Sequence, residues 1–113
     1  MSNRIAIATA DGVSVADHLA RSASFLVLDL DSGARELRDR GVDACGNHRS
    51  FVDLAQGCRA VLCGGVGQGA VNALAAHGID CLVLAAPMSI EDAAAGYRAG
   101  TLVTTDARVC LCG

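Results

Sequence analysis

The chain has 113 residues, of which 52% are apolar, 19% charged and 3% aromatic, and its formal net charge is −3. Its size and apolar content predict a single folded domain, residues 1–113, as a monomer or small homo-oligomer, and argue against disorder. The acidic balance and the scarcity of aromatic side chains argue against a nucleic-acid partner. No apolar run approaches the roughly 20 residues that span a bilayer, and the N-terminus lacks a leader pattern, so we expect a cytoplasmic protein with no membrane partner.

Strand and turn signals fill the first part of the chain. Residues 4–9 predict a first strand that ends at the turn signal Asp11-Gly12. Residues 25–30 predict a second strand, and residues 34–40 predict an exposed third strand that pairs with it through the turn at 31–33. This part of the sheet is therefore expected to be antiparallel.

From residue 50 onward the pattern becomes helical. Ser50 and Asp53 resemble a capping box, and Gly57 is placed to end a short helix. Strands and helices then alternate: the pattern predicts a strand at 60–63, a glycine loop at 64–69, a helix at 70–77, a strand at 81–84, and a last helix capped by Ser89 and ended by Gly100. Such alternation implies parallel strands, so the predicted class is α/β with a mixed five-stranded sheet covered by helices.

The glycine loop (residues 64–69) matches a dinucleotide-binding pattern. Gly65, Gly67 and Ala70 fit G-x-G-x-x-G/A between a strand and a helix. The next strand, however, ends at Leu84 without an acidic residue to bind a ribose, and all nine basic residues are arginine, so the lysine of a P-loop is missing. Two interpretations remain: a tight turn with close helix packing, or a nest of backbone N–H groups that binds an anion.

A second group of interest is Cys45 and His48, three positions apart in a polar loop. A thiolate and an imidazole at this spacing can reach one metal ion, and Gly46 allows the backbone to curl between them. A closed zinc site would need two more ligands, for which Cys110 and Cys112 are the obvious source. The alternative is a loop cysteine and a helix-start histidine without a ligand role.

His18 and Arg21 stand together in the connection between the first two strands. They offer a nitrogen ligand beside a cation, and the alternative is a surface histidine with the arginine paired to Asp17. His77, at a helix end, is explained by the helix dipole alone. Three further cysteines lie in or beside apolar runs and are predicted to be reduced core residues: Cys58, Cys63 and Cys81.

Nearly the whole chain resembles the dinitrogenase iron-molybdenum cofactor biosynthesis family, which includes nitrogenase cofactor carriers. The resemblance rests on Arg4 to Thr9 followed by Asp11-Gly12, Val15 to His18, Arg21 to Phe25, Cys45 to His48, and Gly57 to Ala70. It implies a ribonuclease-H-like, three-layer fold with helices on both faces of the sheet and without nuclease residues. Where the family usually has His-Phe-Gly, this chain has His18-Leu19-Ala20.

The resemblance also implies a function in nitrogenase cofactor biosynthesis and nitrogen fixation. The protein would bind and carry an iron-molybdenum cofactor, its iron-sulfur precursor or a related metal-sulfur cluster between donor and acceptor proteins, and would not be an enzyme. The expected metal ligands are His18, Cys45 and His48, because cluster iron accepts imidazole and thiolate. Arg21 and glycine N–H groups would contact the anionic cluster: Gly64, Gly65, Gly67 and Gly69. The rival interpretations are a structural zinc-binding or protein-interaction domain, and a small-anion-binding module.

Overall fold

The computed structural model describes residues 3–17, 19, 24–39, 55, 57–105 and 109–110. Within these residues, seven strands and two helices are formed: β1 (Arg4–Thr9), β2 (Ser24–Asp29), β3 (Arg35–Asp39), β4 (Ala60–Cys63), β5 (Val66–Gly67), α1 (Gln68–Ala76), β6 (Asp80–Val83), α2 (Ile90–Ala99) and β7 (Val109–Cys110). No helix in these ranges is long and apolar enough to cross a membrane.

Five strands form one mixed sheet in the order β3-β2-β1-β4-β6. The first three strands pair antiparallel, whereas β4 and β6 run parallel to β1. The β2–β3 turn follows from its sequence, because the Asp29 carboxylate accepts the Asp31 N–H at 2.9 Å and Gly33 adopts φ +76°. The predicted mixed five-stranded α/β sheet is confirmed.

The two faces of the sheet carry separate apolar cores. One face packs against Leu74 of α1, and its buried strand residues include Ala6, Ala8, Phe25, Val27, Val61 and Cys63. The other packs against Ile90, Ala93 and Ala94 of α2, and its buried strand residues include Ile5, Ile7, Leu28 and Leu62. Side chains of neighbouring strand residues point to opposite faces, so each strand contributes apolar residues to both cores. Helix α1 covers one of these cores and α2 covers the other. The described part of the chain therefore has three layers, and the ribonuclease-H-like label stays a prediction.

Element boundaries differ from the prediction by one or two residues. Helix α1 begins at Gln68 rather than at residue 70, because Gly67 is extended (φ −78°, ψ 151°) and acts as the N-cap. Helix α2 matches its signals: the Ser89 hydroxyl accepts the Asp92 N–H at 3.1 Å, and Gly100 ends the helix at φ 72°. The helix predicted at 50–57 lies mostly outside the described residues.

An exposed ion pair joins the edge strand β3 to the first turn of α2. The Arg35 guanidinium donates hydrogen bonds to both carboxylate oxygens of Glu91. These hydrogen bonds and, to a smaller extent, the positive charge of Arg35 lower the pKa of Glu91. A carboxyl whose pKa is lower in the folded state stabilises the fold above its unfolded pKa, and that stabilisation is lost as the pH falls through the folded value.

We therefore expect the stability difference between the wild type and Glu91→Gln to be constant near neutral pH, to shrink below about pH 4.3, where free glutamate titrates, and to be lost as the pH falls through the lower pKa of the folded state. Urea unfolding at a series of pH values measures this difference. The double variant Arg35→Gln/Glu91→Gln is the control, and its stability relative to Arg35→Gln should vary little with pH. If the stability difference between Arg35→Gln and the double variant depended on pH to the same extent, the pH-dependent stability would not arise from the Arg35–Glu91 ion pair.

Candidate functional site

The carboxyl ends of the parallel strands β1, β4 and β6 meet at one edge of the sheet, here called the carboxyl edge. The start of the antiparallel strand β2 and the end of β3 lie at the same edge. Ser24, the first residue of β2, is paired with Thr9 at the end of β1 and with Asp39 at the end of β3. The connections that follow β1, β3, β4 and β6 therefore all leave the sheet at the carboxyl edge, where open α/β sheets bind their ligands.

The connection after β1 begins with a hydrogen-bonded turn. The Asp11 carboxylate accepts the N–H groups of Val13 and Ser14 at 2.8 Å each, and the Thr9 hydroxyl accepts the Gly12 N–H at 2.8 Å. The hydrogen bonds from Ser14 and, next in size, from Val13 lower the pKa of Asp11, so its carboxylate is ionised at neutral pH. The aspartate was noted from sequence as turn chemistry, and the structure gives it this local role.

The same connection then lies directly on the end of β4. The Ala16 N–H donates to the Ala8 carbonyl at 2.7 Å, the Gly64 N–H donates to the Ala16 carbonyl at 2.8 Å, and the Leu19 N–H donates to the Gly65 carbonyl at 2.7 Å. The Leu19 side chain is fully buried in the core on the α1 side of the sheet. The residues before and after position 18 are thus fastened to the glycine loop.

Gly64 is required by this contact. A Cβ atom built on Gly64 would lie 2.9 Å from the Ala16 carbonyl oxygen and 3.1 Å from the Cα atom of Asp17. Both are backbone atoms, so neither can turn away as a side chain would. Gly64 therefore lacks a side chain because the β1–β2 connection occupies that space, which supports the tight-packing interpretation of the glycine loop at this position.

The loop after β6 completes the carboxyl edge. The Val15 N–H donates to the Met88 carbonyl at 3.0 Å, and the Ile90 N–H donates to the Val13 carbonyl at 2.8 Å. The β1–β2 connection is consequently held between the loops that follow β4 and β6. This positioning role of Ala16 and Leu19 was not predicted from the sequence, because the hydrogen bonds involve backbone atoms, which leave no side-chain motif.

The rest of the glycine loop starts α1 and touches the C-terminal strand. Val66 and Gly67 pair in parallel with Val109 and Cys110 as a separate two-stranded sheet. Gly64, Gly65, Gly67 and Gly69 all lack a positive φ, whereas an N–H nest commonly alternates right- and left-handed residues. The first turn of α1 contains no acidic residue and has no side-chain cap. Its N–H groups are the part of the loop best suited to an anion.

Most of the predicted ligands lie outside the described residues: His18, Arg21, Cys45 and His48, together with Cys112. The structure does place residues that precede or follow them in the sequence. Asp17 and Leu19 flank position 18 at the carboxyl edge, Ser24 follows the segment with Arg21, and Asp39 precedes the segment with Cys45 and His48. No group of three or more histidine, cysteine, aspartate or glutamate residues that could hold a metal ion occurs within the described ranges.

The other cysteines belong to the core, as predicted. Cys58 and Cys63 are buried free thiols and Cys81 is a half-buried one. The pKa of Cys63 is raised by its interaction with Cys81 and by burial, burial raises the pKa of Cys58, and the interaction with Cys63 lowers the pKa of Cys81. Cys58 and Cys63 are therefore poor candidates for metal ligands, because metals bind the thiolate and not the protonated thiol. The His77 Nδ1–H group donates to the Ala73 carbonyl at 2.9 Å, in keeping with the place of His77 at the end of α1.

The sequence of the chain matches a known protein family over most of its length. The sequence profile of the dinitrogenase iron-molybdenum cofactor family matches residues 1–100. The chain belongs to this family. The match covers all five strands of the main sheet, helices α1 and α2, and every residue predicted to contact the cluster, whereas Cys110 and Cys112 of the alternative zinc site lie beyond it. Among the curated proteins, none is similar enough in sequence to count as a match.

Solved structures resemble the chain over almost its full length. The protein PH0822 is 23% identical with a TM-score of 0.76, covering 92% of this chain and 96% of its own. The apo form of the orange protein from Desulfovibrio gigas is 25% identical with a TM-score of 0.75, covering 94% and 95%. A Thermotoga protein described as a candidate NifB is 24% identical with a TM-score of 0.70, covering 92% and 93%. These structures share the family fold.

Proposed function

We propose that this protein binds a metal-sulfur cluster at the carboxyl edge and carries it during cofactor assembly, without catalysing a reaction on it. The cargo would be an iron-molybdenum cofactor, its iron-sulfur precursor or a related cluster, received from a donor protein and delivered to an acceptor. Membership of the dinitrogenase iron-molybdenum cofactor family supports a cofactor-related role. The observation that carries the proposal is the convergence of strand connections at one edge.

Each proposed ligand is carried by a segment that meets the sheet at the carboxyl edge. His18 and Arg21 belong to the connection that leaves β1 at Thr9 and returns at Ser24. Cys45 and His48 belong to the connection that leaves β3 at Asp39, directly beside Ser24. The strand ends at which the two connections begin, Thr9 and Asp39, therefore lie on either side of Ser24, and this supports the proposal that residues of both connections ligate one cluster.

The chemistry of these residues suits a transferable cargo. Cluster iron accepts imidazole and thiolate, so His18, Cys45 and His48 are proposed to ligate it. The cluster is anionic overall, and Arg21 together with the N–H groups of the first turn of α1 would compensate this charge. Three ligands on loops hold a cluster less permanently than a closed cage of four thiolates, which favours release to an acceptor.

Anaerobic titration with isolated iron-molybdenum cofactor and, separately, reconstitution of an iron-sulfur cluster test the proposal. We expect each of His18→Ala, Cys45→Ala and His48→Ala to weaken binding by about tenfold or more, since loss of even a supporting group at a metal site has an effect of this size. Iron, molybdenum and acid-labile sulfide, measured with the absorption spectrum, report the bound cluster.

Two matched controls lie away from the carboxyl edge. His77→Ala removes a histidine from the far end of α1, and Cys58→Ala removes a buried thiol that precedes β4. Both should leave the affinity within twofold of the wild type, a threshold small beside the tenfold loss expected above. Unchanged affinity in all three ligand variants would refute the site. Purified protein that contains stoichiometric zinc without iron, molybdenum or sulfide would instead favour the structural zinc site. Cys110, which pairs with Gly67 in the two-stranded sheet, would contribute to that site.

A further inference from the structure

A second candidate site lies at the opposite edge of the sheet, where β1 and β4 begin. A cavity of about 420 Å³ opens there and is lined by Asn3, Leu30, Arg59, Tyr97 and Arg98. Asn3 and Arg59 directly precede β1 and β4, Leu30 follows β2, and the other two residues belong to the last turns of α2. The cavity is therefore separated from the carboxyl edge by the length of the strands.

Both arginines are held in place by neutral acceptors. The Arg59 guanidinium donates to the Asn3 side-chain oxygen at 3.0 Å, and the Arg98 guanidinium donates to the Leu30 carbonyl at 3.2 Å. Asn3 is itself oriented by its amide, which donates to the Asp31 carboxylate at 3.0 Å. Among the described residues, neither arginine has a carboxylate within ion-pair distance, whereas Arg4, Arg35 and Arg38 each have one.

From this arrangement we infer that the cavity binds a small dianionic molecule through a phosphate or carboxylate group. A guanidinium presents several N–H donors in a plane, and each arginine uses one nitrogen for its neutral partner, so donors remain for an oxyanion. The residues that the structure describes in the lining supply two positive charges and no carboxylate. Its volume falls in the range of small-molecule sites and exceeds what an inorganic ion needs, so the ligand is a small organic anion.

The test is a titration of the full-length protein at low salt with inorganic phosphate and, in a second arm, with succinate. Amide chemical shifts of Asn3, Arg59 and Tyr97 should move in a saturable way. We expect Arg59→Gln and Arg98→Gln each to raise the dissociation constant about tenfold, because each removes charge-assisted hydrogen bonds to the anion. Arg35→Gln is the matched control, since it removes the same charge from an arginine that is paired with Glu91 and lies outside the described lining, and it should leave the dissociation constant within twofold.

The two arms identify the source of the oxyanion. Binding of phosphate alone supports a phosphorylated ligand, binding of succinate alone supports a dicarboxylate, and binding of both supports recognition of any dianion. Failure of both anions to shift these amides overturns the inference, as does an equal loss of affinity in Arg35→Gln, which would show a response to net charge only. Cluster binding at the carboxyl edge is unaffected by either result, because the two sites share no residue.

Discussion

Leu19→Ala is expected to lower the free energy of unfolding by about 2–5 kcal/mol, the usual cost of truncating a fully buried leucine. The side chain of Leu19 is completely buried on the α1 side of the sheet, and its N–H donates to the Gly65 carbonyl at 2.7 Å. The same residue fastens the connection that carries His18. We therefore also expect weaker cluster binding at a temperature at which the variant remains folded. Urea unfolding and cluster titration measure the two effects.

Leu74→Ala is the control that separates the loss of stability from the loss of cluster binding. Leu74 is equally buried and belongs to the same apolar core, but it lies in the last turn of α1, where its carbonyl accepts the Ile79 N–H at 2.9 Å, and not in the β1–β2 connection. It should lose a similar amount of stability and keep its affinity for the cluster. Equal losses of affinity in the two folded variants would show that binding depends on the core as a whole, and the positioning role of Leu19 would be wrong.

The fold was largely predictable because its signals are local. Apolar runs bounded by turn residues defined the main strands, and the alternation after residue 60 indicated parallel pairing. The cap at Ser89 and the left-handed Gly100 were found at the predicted ends of α2. The two-residue strands β5 and β7 were missed, since two residues carry no periodicity and their pairing joins parts of the chain more than 40 residues apart.

The site was less predictable, because its organisation depends on contacts between distant backbone segments. The spacing of Gly65, Gly67 and Ala70 matches a nucleotide-binding pattern, yet Gly64, which lies outside that pattern, is the residue at which a Cβ atom would meet the backbone of the β1–β2 connection. Nothing near Gly64 in sequence shows that residues 16 and 17 press against it. Side-chain chemistry, by contrast, could be listed from sequence: the core assignment of Cys58 and Cys63 is confirmed, and His18, Cys45 and His48 stay predicted ligands.

Gly64→Ala tests whether this close approach matters. The added Cβ would meet the Ala16 carbonyl oxygen at 2.9 Å and the Asp17 backbone at 3.1 Å, so the β1–β2 connection must move or the end of β4 must distort. We expect the free energy of unfolding to fall by about 1–3 kcal/mol, as for other overpacked sites. If the connection moves, the Gly64–Ala16 and Leu19–Gly65 hydrogen bonds weaken, and amide hydrogen exchange at Gly64 and Leu19 should accelerate together.

Gly96→Ala is the matched control, because it adds the same methyl group at a position that can adapt. There the new Cβ would meet the end of the flexible Leu102 side chain at 3.1 Å, and alanine is the better helix former by about 0.5–1 kcal/mol within α2. Its stability should match or exceed that of the wild type, with unchanged exchange at Gly64 and Leu19. Wild-type stability in Gly64→Ala would mean that the β1–β2 connection yields freely, and a rigidly positioned segment at the carboxyl edge would then have to be abandoned as the basis of cluster binding.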